Sequence, residues 1–460
     1  MNLTRRKFAA CLGAGAPLRA GAPAGNPQRP NIVLYLSDDH GWDLAGCYGN
    51  PVIRTPNIDA LARQGMRFTR AFAGAPTCSP SRAVLYTGLY SPRNGLMDNH
   101  AGCKPGAKSI THYLKSLGYR TVLANKIHVK PVEVFDFEYV KATLPNVPGR
   151  ERHYRDEGLD TAVVDRLLAE HARNRRDQPL CLILADSGPH VVWEPNRIYD
   201  PAKLPLPPIV ADTPITRAAM ANYYQDITTT DQRLGQVMSS LKRHGFEENT
   251  LLVYTSDQGP EWPRSKWTTY DAGLRVPFIA RWPGRVAAGA VSDAMISFAD
   301  VTPTFADVAG GGLLKDLDGS SFRPVLQGKA ASFRREIYAT HSRDGDKNVF
   351  PQRAIRDVRY KYILNLHPER KWTTHFTLVP GIPVSHKAVY DSWIERAKSD
   401  AETARLIDLI ERHPAEELYD TQTDPHEMRN LAGTPEAGRV LARMRERMNQ
   451  VRAQLGDVDE

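Results

Sequence analysis

The chain reads as an α/β protein: a large, mostly parallel sheet sandwiched by helices, followed by a smaller C-terminal subdomain built on an antiparallel sheet. Two observations predict this. Four short apolar runs between Asn31 and Tyr254 have the character of strands buried on both faces, and three of them follow a segment of helical periodicity. After residue 330 the texture changes to short alternating segments divided by turns.

The elements follow in chain order. Asn31-Ile32-Val33-Leu34-Tyr35-Leu36 is the first strand and ends in Ser37-Asp38-Asp39-His40. Ser109 begins a helix with Ile110, Tyr113, Leu114 and Leu117 on one face and Gly118 at its close. The strand after it, 121–124, ends in Asn125-Lys126-Ile127-His128. A helix from about residue 159 to 175 precedes the strand 180–184, which runs into Asp186-Ser187-Gly188-Pro189-His190. A longer helix, about 216 to 244, leads into the strand 251–254 and then Thr255-Ser256-Asp257-Gln258-Gly259. Farther on, 336–340, 352–355, 360–364 and 417–420 read as short strands before a final helix from about 436 to 455. The proline-rich stretch 201–214 reads as an excursion over the surface, and no internal repeat or low-complexity linker is present. The expected division is a leader over 1–27, a catalytic domain over 28–335 and a C-terminal subdomain over 336–460.

In open parallel sheets, ligands bind just outside the carboxyl ends of the strands. All four polar clusters fall on that edge, which brings Asp38, Asp39, Lys126, His128, His190 and Asp257 toward one crevice. Asp38-Asp39 and Asp257-Gln258 offer only oxygen donors, which suits a hard divalent cation such as Ca2+ better than zinc. Taken singly, such a pair is commonly a turn or helix cap. Two of them on one sheet edge point to a metal site.

Composition sets wider bounds. At 460 residues the chain exceeds what one hydrophobic core covers. A net charge of +8 suits polyanionic substrates, although basic residues scattered over a solvated surface give the same figure. No apolar run approaches the roughly 20 residues of a membrane span, and neither a membrane nor a nucleic-acid partner is expected. Thr4-Arg5-Arg6-Lys7-Phe8, the small residues of 9–18 and Ala20-Gly21-Ala22-Pro23-Ala24 resemble a twin-arginine export signal, which implies a periplasmic protein. Arg19 and several glycines weaken its apolar region, leaving an uncleaved tail as the alternative, and Cys11 after Phe8-Ala9-Ala10 mimics a lipoprotein cleavage site. Beyond Cys11 stand Cys47, Cys78, Cys103 and Cys181; with Cys78 used in chemistry, three remain, against a full disulfide framework.

Cys78-Ser79-Pro80-Ser81-Arg82 has the form C-x-P-x-R and continues into Ala83-Val84-Leu85-Tyr86-Thr87-Gly88, an apolar helical turn closed by glycine. Cys78 is therefore expected where a helix begins and backbone N–H groups face an incoming anion. A buried, inert thiol is the plain alternative. The string CSPSRAVLYTG resembles the sulfatase signature, in which the cysteine is oxidised to formylglycine by a formylglycine-generating or sulfatase-maturating enzyme. Asn125-Lys126-Ile127-His128-Val129 is similar to that family's G-K-x-H, and the stretch from Lys266 to Pro277 is similar to K-x-x-x-Y-E-G-G-x-R-V-P. Glu417-Leu418-Tyr419-Asp420 with Asp424, Pro425, Glu427, Asn430 and Leu431 completes a resemblance that runs from about residue 31 to 431.

The resemblance implies a sulfatase acting on sulfate esters or N-sulfate groups of a sulfated saccharide. It implies a metal held by Asp38, Asp39, the modified Cys78, Asp257 and Gln258. One hydroxyl of the formylglycine hydrate attacks sulfur, and deprotonation of the other expels sulfate and regenerates the aldehyde. By the same resemblance Arg82 and Lys126 hold the hydrate, and His128 is the base for the elimination. His190 and Lys266 bind sulfate and assist the leaving atom, and Asn99, His100 and Arg275 meet the substrate.

Within the family, residues 126–137, Asn99-His100 and 353–365 most resemble N-sulfoglucosamine sulfohydrolases, and bacterial polysaccharide sulfatases share much of this. Two departures stand out: Gln258 where the family has Asn or His, and Gly188 where animal sulfamidases have an aspartate two residues before the histidine. Trp193, Trp262 and Trp267 either stack on sugar rings or pack in the core. Two alternative readings are a phosphonate monoester hydrolase or phosphodiesterase of the same superfamily, and a non-catalytic glycan-binding protein with unmodified Cys78.

Overall fold

The apolar runs become strands because they carry little except Val, Ile, Leu, Ala and Tyr over lengths too short for a helix. A computed structural model describes residues 29–143, 158–380 and 384–458; the leader expected over 1–27, with Cys11, lies outside the described residues. The strands of the first sheet are β1 (Asn31–Ser37), β2 (Met66–Phe72), β3 (Arg120–Asn125), β4 (Glu138–Val140), β5 (Leu180–Ala185), β6 (Thr250–Ser256), β7 (Arg275–Arg281), β8 (Ala290–Ser292) and β9 (Ile296–Ser297). Their order is β4-β3-β5-β1-β6-β7-β2-β8, with β9 also on β2. The five strands from β4 to β6 pair in parallel, whereas β7 runs antiparallel to both β6 and β2.

Every residue of β1, β5 and β6 is buried, and successive side chains go to opposite cores. Ile32, Leu34, Leu36, Cys181, Ile183, Leu251 and Val253 join one apolar cluster, while Val33, Tyr35, Leu182, Leu184, Leu252 and Tyr254 join the other. Burial of each such aliphatic side chain contributes roughly 1.5–3 kcal/mol, which makes this sheet a rigid base for whatever follows its strand ends.

Helices cover both faces. Ile110–Ser116 is capped by the Ser109 hydroxyl, Thr161–Asn174 by the Asp160 carboxylate, and Pro214–Arg243 starts with Pro214 and the Thr213 side-chain cap. The second sheet is antiparallel: β10 (Glu336–His341), β11 (Gln352–Asp357), β12 (Tyr360–Asn365) and β13 (Glu416–Asp420) in that order, with helix Gly438–Leu455 packing Met444, Met448 and Val451 into the larger core. The two sheets are tied by charge: Lys361 Nζ lies 3.0 Å from both Asp271 Oδ1 and Glu427 Oε1, and Glu427 also accepts the Asp271 N–H.

One expectation needs correction. The stretch 201–214 is not a surface excursion, because Leu204, Ile209, Val210 and Ala211 between its prolines are buried with Trp393 and the long helix. Of the two readings left open for the tryptophans, Trp193 and Trp262 take core packing, stacked on each other at 5.3 Å within that same cluster. No helix among the described residues is long and apolar enough to cross a membrane, and the four described cysteines, Cys47, Cys78, Cys103 and Cys181, are all free.

Candidate active site

The chain turns sharply where the central strands end. Asp39 (φ 65°), Asn125 (φ 76°), His128 (φ 44°) and Trp267 (φ 74°) all take the left-handed conformation, each at a cost of order 1–3 kcal/mol for a residue with a side chain. Four such positions around one crevice mark a place where geometry outranks local stability. Gly259 is required for a related reason, since a Cβ there would stand 1.8 Å from the Ala272 carbonyl oxygen.

Between these turns lies helix Cys78–Thr87, buried at every position and closed by Gly88 in the left-handed region (φ 72°). Cys78 is its first residue, and the turn is held from within: Pro80 carries no N–H, and the Ser81 N–H donates to the Thr77 carbonyl at 2.9 Å, so the row of free donors expected there is not present. The Asn99 side chain fixes this start by accepting the Ser79 N–H at 3.1 Å.

The crevice floor is a closed set of charges. Arg82 NH2 lies 3.1 Å from Asp38 Oδ2 and 2.9 Å from Asp257 Oδ2, and all three side chains are fully buried. Lys126 pairs with Asp38 Oδ2. Lys266 Nζ lies 2.8 Å from Asp39 Oδ2 and 3.0 Å from Glu261 Oε2. His190 holds Nε2 3.8 Å from Asp39 Oδ2, with Nδ1 2.6 Å from the Val191 carbonyl oxygen. Cys78 Sγ lies 3.4 Å from Asp38 Oδ1 and accepts from Gln258 Nε2 at 3.2 Å.

These charges set the titration behaviour. Burial pushes Asp38 up, but Lys126 and then Arg82 outweigh it and hold its carboxyl well below the usual range. Burial wins at Asp39 and, helped by Asp38, at Asp257, so both are raised. Burial, with Asp38 close by, lifts the Cys78 thiol well above its ordinary value. An unmodified thiol so placed is protonated and a poor nucleophile. Burial, then Lys126 and Arg82, push His128 down to about 2, leaving a neutral imidazole.

Oxygen atoms of Asp38, Asp39 and Asp257 come within 4.8 Å of one another. Gln258 Oε1 is buried and without a hydrogen-bond partner, while Gln258 Nε2 donates to Asp39 Oδ1. Three converging carboxylates and an unpaired amide oxygen make a donor set that fits a hard divalent cation; turning the amide about its last torsion exchanges its nitrogen for its oxygen on the acidic side.

Above the floor a cavity of about 680 Å³ is lined by Cys78, Lys126, His128, His190 and Lys266 with Asn99, His100, Glu261, Trp267, Asp344 and His375. Of the residues singled out in the sequence, Arg275 is not brought here. Its guanidinium donates to the Thr69 carbonyl and lies 3.6 Å over the Trp42 ring, because it opens β7 and points along the antiparallel neighbour instead of into the crevice. His40 also turns away, with Nδ1 2.6 Å from the Tyr254 hydroxyl and Nε2 2.7 Å from the Leu44 carbonyl. At Gly188 a Cβ would meet Thr230 Oγ1 at 2.4 Å and Arg233 NH1 at 2.9 Å, so this position faces the long helix, where Arg233 pairs with Asp186 at 3.1 Å.

Sequence reasoning missed Glu261, Asp344 and His375. Glu261 stood three residues past Gln258 and was open to notice. Asp344 follows the end of β10 in the second sheet, and His375 opens the short helix His375–Leu378; neither lies on the edge of the large sheet, where the sequence directed attention.

Known proteins agree with this architecture. Residues 30–311 match the sulfatase family model, and residues 263–380 match that of the C-terminal part of N-sulphoglucosamine sulphohydrolase. The chain is 35% identical over 414 residues to an ulvan-active sulfatase of Formosa agariphila, covering 89% of this chain and 77% of that protein. It is 27% identical over 463 residues to the N-sulphoglucosamine sulphohydrolase of Homo sapiens, covering 91% and 89%. Its fold is shared with a protein solved in complex with its substrate D-glucosamine-2-N,6-O-disulfate (TM-score 0.69, 21% identity, 94% and 99% covered). A phosphonate monoester hydrolase of Agrobacterium radiobacter has the same fold (TM-score 0.67, 22% identity, 93% and 96% covered). The chain belongs to the sulfatase family of sulfuric ester hydrolases.

Proposed function

We propose that the crevice removes sulfate from a sulfated saccharide, with Cys78 converted to formylglycine by a maturation enzyme and one Ca2+ held by Asp38, Asp39, Asp257, Gln258 and residue 78. The observation that carries this reading is the position of Cys78, first residue of a buried helix and 3.4 Å from an aspartate of the oxygen-donor cluster. A raised thiol pKa supports a residue that acts after modification. When present, the metal supplies Lewis acidity toward a sulfate oxygen and the formylglycine supplies a hydrated aldehyde as nucleophile.

The other residues work around that pair. Arg82 holds Asp38 and Asp257 in register, and Lys126 adds positive charge beside position 78. His128 lines the cavity with Cys78 and keeps Nδ1 without a hydrogen-bond partner, which places it to take a proton from residue 78. His190 and Lys266 face the sulfate and the leaving atom. With position 188 turned toward Thr230 and Arg233, no carboxylate is supplied there to meet an amine, which favours sulfate esters over N-sulfate. The names of the ulvan-active and glucosamine-acting relatives support a glycan substrate. We read residues 28–335 as the catalytic part and 336–460 as the C-terminal subdomain. The arginine pair near the start supports export to the periplasm.

Mass spectrometry of the Cys78 peptide from active protein, paired with sulfate release from defined sulfated saccharides, tests the proposal. Formylglycine at position 78 and sulfate release that a chelator abolishes and Ca2+ restores are expected. An intact thiol in fully active protein sinks the mechanism, and faster turnover of an aryl phosphonate than of an aryl sulfate makes the chain a phosphonate hydrolase.

A further inference from the structure

The mouth of the crevice is made where two distant segments dock. The turn after β10 lies against the loop of Asn99 and His100: Asp98 and Arg343 form a parallel bridge, the Asn99 N–H donates to the Arg343 carbonyl at 3.3 Å, and the Asp98 carboxylate accepts the Gly345 N–H at 3.2 Å. This docking sets Asp344 into the cavity wall with its side chain only 6% exposed. Asp344 Oδ1 makes no hydrogen bond. His100 Nε2 stands 3.0 Å from it, within ion-pair distance but off the hydrogen-bonding direction, and His375 Nε2 stands 3.4 Å from Oδ2.

The two histidines differ. Asn348 Nδ2 is 2.9 Å from His375 Nδ1, a contact that anchors the ring with Nε2 toward Asp344. His375 is also stacked on Trp267 at 4.9 Å. His100 has a side chain 66% exposed, so a turn of its ring would open Asp344 Oδ1 to the cavity without disturbing the core. His128 Nδ1, buried on the same cavity and 5.5 Å away ring to ring from His100, likewise lacks a hydrogen-bond partner. Buried polar atoms nearly always find partners in a folded protein, so two without one beside the same cavity mark the side a ligand completes.

A carboxylate is an odd lining for a cavity whose floor attracts anions. It accepts hydrogen bonds and repels a second negative group. We propose that Asp344, with His100 as its movable cover and His375 as its fixed support, forms a subsite for a hydrogen-bond-donating substituent on the sugar that carries the scissile sulfate, and rejects an anionic one. This rests on the reading of the crevice as a saccharide sulfatase.

The test is kcat/KM for monosaccharide monosulfates that differ only next to the sulfate, in a hydroxyl, a free amine, a methoxy group or a second sulfate, with an aryl sulfate as reference. The hydroxyl or amine compound is expected to exceed the methoxy one by roughly 10- to 100-fold, the factor for losing a hydrogen bond to a buried charged group. The better of the two identifies the donor. The disulfate is expected to be poorer still, and Asp344→Asn to relieve that discrimination by about tenfold relative to the aryl sulfate, since it removes the repelling charge and keeps the shape. Equal rates for hydroxyl, methoxy and disulfate compounds in the unaltered enzyme overturn the subsite alone. An Asp344→Asn variant that slows every substrate alike reduces Asp344 to a structural role and also overturns it. Turnover of the aryl sulfate with no sugar sulfate cleaved overturns the saccharide reading and this subsite together.

Discussion

The floor and the mouth of the crevice are built in opposite ways. On the floor, Asp38, Asp39, Lys126, His190 and Asp257 follow directly from β1, β3, β5 and β6, and each charge is answered by another at short range. At the mouth, His100, Asp344 and His375 come from loops and a short helix far apart in the chain, and buried polar atoms there are left unpaired. A rigid sheet suits groups that must meet a reacting atom, and loops suit groups that choose which substrate arrives.

Removing a floor charge should therefore cost stability as well as activity, which a mouth substitution should not. Arg82→Met strips the guanidinium from between two buried carboxylates. Leaving a buried charge uncompensated costs about 3–5 kcal/mol, so urea unfolding of the metal-free variant should show a loss of that size. An unchanged midpoint would mean that Asp38 and Asp257 are content without Arg82 and that the floor is not the closed set described.

A smaller effect is expected at the flank of the floor. Gly188→Ala places a methyl 2.4 Å from Thr230 Oγ1 and 2.9 Å from Arg233 NH1, beside the Arg233–Asp186 pair. Overpacking of this kind costs about 1–3 kcal/mol, measurable by thermal or urea unfolding. A variant as stable as the parent would show that the position has room for a side chain and that Thr230 and Arg233 do not impose the glycine.

The same contrast decides what the sequence made legible. The four central strands, their polar ends and the helix beginning at Cys78 were readable because each is a local pattern: a short apolar run, a turn cluster, a glycine stop. Strand β7 was not, because Pro277 interrupts it; the ladder to β2 shifts register between Phe68 and Ala71, and the Tyr48 hydroxyl accepts the Phe278 N–H at 2.7 Å. Arg275 was misplaced for the same reason, since a motif string says nothing about which way a strand residue points. The helices His386–Ala397 and Ala401–Glu411 between β12 and β13 were missed too, and they are held by a partner remote in sequence, with Trp393 Nε1 donating to Thr216 Oγ1 at 2.7 Å. Asp344 becomes a wall residue only once Asp98 and Arg343 have met.

Glu261 joins floor and mouth, and the smallest predicted effect lies there. Burial would raise its carboxyl, but Lys266 and His386 hold it well below the usual range. Its Oε2 is 3.0 Å from Lys266, and its Oε1 is 3.2 Å from Trp267 Nε1 and 3.3 Å from His386 Nε2. Lys266 is thus shared between Asp39 and Glu261 before any sulfate arrives, and the anion must compete for its charge. Glu261→Gln keeps an acceptor for the Trp267 indole and removes one competitor, so free sulfate should inhibit about two- to fivefold more tightly, on the order of 0.5–1 kcal/mol. The inhibition constant for inorganic sulfate from initial rates measures this. Weaker inhibition would show that Glu261 matters by holding Lys266 in position, and that the charge it carries is secondary.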